Sequence, residues 1–355
     1  MNKLNQALAK IKPFDKKLYE QAQSRLDNLT KPIGSLGKLE QLAKQVVAIT
    51  GNQNPQLKKK VIFTLAGDHG ITEEKISAYP KEVTPQMVYN FLRGGAGINV
   101  ISKYVNAKVV IVDMGVACDL ELVGYDLANF RDKKVAYGTK NFRKEPAMTK
   151  EQAVKSLETG IELVEEQLAA GVDLICIGEM GIGNTTSASA ITSVATGSPV
   201  EKITGRGTGL DDSGLKHKID IINESIKLHN PVKTDALDIL SKIGGFEIAG
   251  MAGIIIAAVA NRIPIVLDGF ISGASALAAV LLNKEIKDYL IAGHCSVEPG
   301  HKIILDYLSL NPVLNFDMRL GEGTGAALSI PIIETSVKIL QEMATFDSAG
   351  VSRKS

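Results

Sequence analysis

Five short apolar runs constrain this chain most: Val61–Leu65, Val109–Val112, Leu174–Ile177, Ile263–Leu267 and Tyr289–Ala292. Most are rich in β-branched residues, and each leads into helical periodicity. A run that is apolar throughout belongs to a strand covered on both faces. Parallel strands also need a crossover between them, which a helix supplies. The pattern predicts an α/β fold with a mostly parallel sheet flanked by helices. Amphipathic helices are expected around Lys16–Leu29 and Leu36–Ile49, split by the turn Lys31–Ser35, and another from Ala326 to about Met343. The terminal regions, residues 1–55 with 326–355, are expected to form a small helical domain beside an α/β catalytic domain of residues 56–325. No fixed-period repeat or proline-rich linker separates them.

Composition narrows the setting. The formal charge is +1, so nothing favours nucleic acid or an acidic membrane surface. Lys58-Lys59-Lys60 precedes an apolar run and reads as a solvated strand start. No apolar core of a signal peptide stands in Met1–Lys17. The most apolar stretch, Ile248–Ala260, falls short of the ~20 residues a membrane span needs. Cys118, Cys176 and Cys295 are far apart and odd in number, with neither a disulfide framework nor a zinc-ligand spacing. A cytoplasmic protein is expected.

The segments leaving the five runs point to function. They read Ala66-Gly67-Asp68-His69-Gly70, Asp113-Met114-Gly115, Gly178–Thr186, Asp268-Gly269-Phe270 and Gly293-His294-Cys295-Ser296. In open parallel sheets ligands bind beyond the carboxyl ends of the strands. Glycine lets backbone approach a ligand, and the polar residues between can contact it. The exits therefore predict one shared site.

Three constellations bear on its chemistry. Gly181-Ile182-Gly183-Asn184-Thr185-Thr186 precedes a small-residue helix, Ser187–Ala195, and a helix N-terminus suits phosphate. Its rival reading is a plain cap by Asn184 or Thr185. It is neither a Walker A loop nor a clear dinucleotide fingerprint. Gly205–Gly214 opens a helix bearing Lys216 and Lys218, and with Arg206 suits phosphate or carboxylate. Asp211 and Asp212 could equally just cap that helix. In Arg319-Leu320-Gly321-Glu322-Gly323-Thr324-Gly325 a glutamate stands between glycines. It reads as a general base raised by burial from the ordinary ~4.3 toward the working pH, with a dipole-stabilised cap as the rival. Glu73, Ser77, Ala78, Tyr79 and Pro80, with Gln86 and Met87, suit a flat heteroaromatic ligand. The alternative there is a loop capped by Thr84 with Pro85 at the first helical position.

With these segments assembled, the chain resembles the nicotinate-nucleotide:dimethylbenzimidazole phosphoribosyltransferase family of cobalamin lower-ligand synthesis. The resemblance rests on KPIGSLGKLE (Lys31–Glu40), AGDHGI (Ala66–Ile71), SAYPKEVTPQMVYNFLRGGAGINV (Ser77–Val100), GEMGIGNTT (Gly178–Thr186) and GRGTGLDD (Gly205–Asp212). It continues through GGFEIAGMAG (Gly244–Gly253), LDGFISGASAL (Leu267–Leu277), AGHCSVEPGH (Ala292–His301), RLGEGTGAAL (Arg319–Leu328) and MATFDSAGV (Met343–Val351). It implies a Rossmann-like fold and transfer of 5-phosphoribosyl from nicotinate mononucleotide to 5,6-dimethylbenzimidazole or a related base. The anomeric carbon inverts, giving α-ribazole 5′-phosphate and nicotinate. By resemblance Glu322 is the base and Glu179 a second active-site carboxylate. Ser77, Tyr79, Gln86, Met87 and Leu320, with Arg319 beside it, border the benzimidazole. Gly181, Gly183, Asn184, Thr185, Gly207 and Lys218 surround the phosphate and ribose. The resemblance further implies a homodimer and no metal or redox cofactor. Two rivals stand beside it: a metal-dependent phosphohydrolase using Asp68, His69, Asp268 and His294, and a non-catalytic nucleotide sensor.

Overall fold

In the computed structural model, which describes residues 2–353, six parallel strands form one sheet in the order β3-β2-β1-β4-β5-β6. They are β1 Lys60–Gly67, β2 Lys108–Gly115, β3 Phe130–Asp132, β4 Leu174–Met180, β5 Ile265–Leu267 and β6 Leu290–Ala292. All eight residues of β1 are buried, as its unbroken apolar run requires of a central strand. Val61 pairs with Lys108 on one side and Ile175 on the other. All five predicted strands are present. The sixth, β3, is a three-residue edge strand beside β2.

This order is that of the doubly wound α/β fold. The chain runs outward from β1 to β3, then returns to lay β4 on the other side of β1. The crevice beyond the carboxyl ends of β1 and β4 is therefore the switch point at which such sheets bind ligands. Helices cover the sheet. Phe246–Ala260, apolar nearly all round, lies over β1, β2 and β4 and packs along Lys150–Leu168. Glycine sets that approach: a Cβ on Gly160 would lie 2.0 Å from the Gly250 carbonyl oxygen. Gly97–Tyr104 lies against β2 and against Thr324–Glu342, which also meets β4. Among the described residues no helix is long and apolar enough to cross a membrane.

The predicted terminal helices occur as Lys16–Asp27, Lys38–Thr50 and Thr324–Glu342. They enclose a small core of Ala22, Leu26, Leu29, Ala43, Val47 and Leu340. An additional helix, Lys3–Lys10, buries Leu4 and Ala7 and packs instead on Lys150–Leu168 and Phe246–Ala260.

Candidate active site

The turn carrying Glu322 is built from three successive left-handed residues: Gly321 at φ +86°, Glu322 at +63° and Gly323 at +95°. Glycine adopts this conformation freely, whereas for glutamate it costs about 1–2 kcal/mol. The surroundings hold it there. The Glu322 N–H donates to the Glu179 carbonyl at the end of β4 (3.1 Å). The Thr64 hydroxyl of β1 donates to the Glu322 carbonyl (2.8 Å). The Ile98 N–H donates to Oε2 of the carboxylate (3.0 Å). Gly178 makes the close contact possible, since a Cβ there would lie 2.0 Å from the Gly323 nitrogen. Glu322 thus does cap a helix, but the neighbouring one, Gly97–Tyr104. Its own following helix, Thr324–Glu342, is served by Asp268 at the exit of β5. That carboxylate accepts from the N–H groups of Gly323 (3.1 Å), Gly325 (2.7 Å) and Ala326 (3.1 Å).

Glu179, Asp268 and Glu322 form one buried acidic cluster. Burial, with Asp268, Glu247 and Glu322 nearby, pushes Glu179 up to about 8, against the Asn184 carboxamide that donates to its Oε2. Like carboxylates excluded from water do not all ionise together. Burial and then the charge of Asp268 raise Glu322, opposed by the Ile98 N–H. Asp268 is raised by burial and lowered by His294 and its three amide donors. Burial and the neighbouring carboxylates thus favour the protonated form of Glu179 in the free site.

Beside the cluster opens a cavity of about 650 Å³. Tyr79, Glu179, Gly181, Asn184, Thr185, Gly207, Arg319 and Leu320 line it. The helix expected from Ser187 begins earlier, as Asn184–Thr196, with Gly183 at its cap position and no side-chain cap. Asn184 and Thr185 are thus not caps. Their side chains turn to Glu179 and to Lys218, whose ammonium donates to Thr185 Oγ1 (2.7 Å). Lys218 is 1% exposed, and burial pushes it down to about 8, with Glu298 pulling the other way. Thr185 borders the cavity and Lys218 lies behind that lining, its ammonium on the Thr185 hydroxyl, so a hydroxyl backed by a desolvated cation stands at the start of a helix, chemistry that suits an anion. Gly207 packs there: a Cβ on it would lie 3.1 Å from Thr185 Oγ1 and 3.3 Å from the Lys218 ammonium. Asp211 does cap its helix, accepting from Gly214 N–H (2.7 Å). Arg206 turns to Asp212 and the Leu210 carbonyl, within its own loop.

On the other rim Ser77 Oγ meets Thr208 Oγ1 (3.0 Å), which also accepts from the Ala78 N–H (3.0 Å). That joins Ser77–Tyr79 to the glycine-rich loop at the cavity mouth. Tyr79 and Leu320 are exposed there. Gln86 is exposed and Met87 half-buried on the helix Val83–Arg93, and neither borders the cavity. Thr84 is not that helix's cap either. It is buried, and its hydroxyl accepts from Ile182 N–H (3.1 Å), anchoring the Gly181–Gly183 loop. Ser296, in the predicted exit of the last strand, also lines the cavity, as do Thr208 and Glu298, whose residue types alone do not mark them. The one signal for Glu298 is Pro299 after it at a helix start.

The four residues of the metal reading are dispersed. His69 bridges Ser187 Oγ (3.1 Å) and Glu247 Oε1 (2.5 Å). His294 lies 3.7 Å from Asp268, whose oxygens serve the helix start, and Asp68 accepts from the Ala117 N–H. Among the described residues no group of three or more His, Cys, Asp or Glu could hold a metal ion.

A doubly wound sheet whose switch-point crevice joins an anion site to buried acids defines the class of enzymes that act on phosphorylated small molecules. A family model described as Phosphoribosyltransferase matches residues 11–351, and the chain belongs to that family. A relative from Geobacter sulfurreducens, named nicotinate-nucleotide--dimethylbenzimidazole phosphoribosyltransferase, is 54% identical over 352 residues, covering 99% of each chain. One of the same name from Desulforamulus reducens is 54% identical over 355 residues, covering 99% of this chain and 100% of that one. The crystal structure of CobT from Thermus thermophilus matches with a TM-score of 0.90 at 42% identity. It covers 95% of this chain and 100% of that one.

Proposed function

We propose that this enzyme transfers 5-phosphoribosyl from nicotinate mononucleotide to 5,6-dimethylbenzimidazole or a related base, giving α-ribazole 5′-phosphate and nicotinate with inversion. The carrying observation is the Glu322 turn: a left-handed glutamate held at one point each by β4, β1 and the helix Gly97–Tyr104, with its carboxylate buried and raised. Full-length relatives at about half identity carry this activity in their names.

The chemistry asks little of the protein. The bond from the anomeric carbon to the pyridinium nitrogen breaks, and its electron pair neutralises that nitrogen, so the leaving ring needs no acid. A benzimidazole nitrogen lone pair forms the new bond from the opposite face. The N–H proton of the resulting cation passes to Glu322. Glu179, raised by burial, meets the pyridinium ring of the substrate, whose positive charge favours its ionised form, and its proton leaves to solvent. As a carboxylate it then stabilises positive charge at the ribosyl carbon. Lys218, Thr185 and the N-terminus of Asn184–Thr196 hold the phosphate, and Gly181, Gly183 and Gly207 let the backbone come close. Ser77, Tyr79 and Leu320 border the acceptor, with Arg319, Gln86 and Met87 nearby. Holding both rings in line lowers much of the barrier.

The same reading assigns a cytoplasmic homodimer, with residues 1–55 and 326–355 as a small helical domain, and needs no metal. Purified protein, nicotinate mononucleotide and dimethylbenzimidazole in EDTA should yield α-ribazole phosphate by chromatography. No product under those conditions refutes the reading. Light scattering should give twice the 37.9 kDa chain mass.

A further inference from the structure

Asp268 closes β5 between the exits that carry Glu179 and His294, and no step above uses it. Its two oxygens take three backbone N–H donors, from Gly323, Gly325 and Ala326. Gly323 is the residue after Glu322. The donors span the cap and first turn of Thr324–Glu342, so one side chain fixes where that helix starts and how the left-handed turn enters it.

We propose that Asp268 is the positioning residue of the general base, holding the Gly323 amide and the helix start so that Glu322 keeps its conformation and its contact with Ile98. The assignment rests on the reading of Glu322 as base. Asp268 also acts through charge, because its carboxylate raises Glu322 and so makes it a stronger proton acceptor. The groups facing this pair are few. Glu179 comes from β4, and His294, after β6, lies 3.7 Å from Asp268. Glu247 at the start of Phe246–Ala260 acts on Glu179. β1 offers the Thr64 hydroxyl and Gly97–Tyr104 the Ile98 amide. Arg319, on the same segment as Glu322, is exposed at the cavity wall.

The test is Asp268→Asn, assayed for transfer across pH with Glu322→Gln in parallel. The asparagine keeps the shape but removes the charge and one acceptor. Its kcat should fall about tenfold to a hundredfold, while KM for nicotinate mononucleotide stays within about threefold. In a Glu179→Gln background, where Glu179 no longer titrates, losing a neighbouring anion lowers the pKa of Glu322, so the acid limb of kcat/KM should move down by about one pH unit. An acid limb that stays in place overturns the proposal, whatever kcat does, because a merely structural role lowers kcat without moving it. If the asparagine variant does not melt cooperatively, Asp268→Ser replaces it, since serine caps helices without charge, and is read the same way. Near-normal turnover by Glu322→Gln would instead remove the base reading itself.

Discussion

Lys218 makes a sharp prediction because stability and binding pull it in opposite directions. Its side chain is buried, its ammonium has one hydrogen bond, to Thr185, and burial depresses it from the ordinary 10.5 to about 8. That difference corresponds to about 3 kcal/mol by which the charged lysine destabilises the empty protein. In Lys218→Met the stem still packs and the charge is gone. Thr185 loses a hydrogen bond, worth about 1 kcal/mol, leaving a net gain of about 2 kcal/mol. With an unfolding entropy of about 2.1 cal/mol/K per residue, that raises the Tm of a chain this long by about 3 °C. The sign with pH comes from the lowered value. Below about 8 both states are protonated and the penalty is complete. Between 8 and 10.5 the unfolded chain binds more protons than the folded one, so wild-type stability rises with pH relative to the variant. Melting should therefore show the variant ahead at pH 7 and its lead reduced at about pH 9.5. Inorganic phosphate should stabilise wild type more than the variant. A variant that melts below wild type at pH 7, or keeps its full lead at the higher pH, refutes the reasoning.

Other expectations are shorter. Glu322→Gln should lose about 10²–10⁴-fold in kcat while nicotinate mononucleotide still binds by calorimetry; turnover near wild type would exclude Glu322 as base. Glu179, raised to about 8, should release its proton to solvent when the substrate's pyridinium ring is placed beside it near neutral pH. Calorimetric heats in buffers of different ionisation enthalpy should then diverge for wild type and agree for Glu179→Gln. Gly160→Ala is a fold test. Alanine in a helix interior ordinarily gains about 1 kcal/mol, yet here the Cβ would meet the Gly250 carbonyl at 2.0 Å. Tm should fall, and a rise would contradict the helix packing.

The strands are readable because burial on both faces leaves an unbroken apolar run, as in β1 and β4. β3 is not, because Phe130-Arg131-Asp132 is an edge segment with two charges in three residues. Lys3–Lys10 escapes for a similar reason: only Leu4 and Ala7 are buried, too few to mark a period. Helix starts fail in an instructive way. Asn184, Thr185 and Thr84 carry the residue types that cap helices, and local rules allow that use. Each instead spends its polar group on a tertiary partner: Glu179, Lys218 and the Ile182 amide. No local rule can see a partner that the fold supplies.

The same limit separates the two charges on which the site most depends. Lys218 is marked in the sequence, since it stands three and four residues before Ile221 and Ile222 and seven before Ser225, on the stripe the helix buries. A buried lysine with a depressed pKa and one hydrogen bond, to Thr185, is what the proposed phosphate role of Lys218 calls for. Asp268 has no such mark. Its exit position suggests a ligand or a metal, and its actual partners are amides more than fifty residues later. Those amides exist as donors only because a helix begins at Thr324, and that helix begins there because Glu322 turns left-handed just before it. Position and conformation of Glu322 are thus one arrangement with the helix start that Asp268 caps, and under the proposed mechanism its basicity joins them.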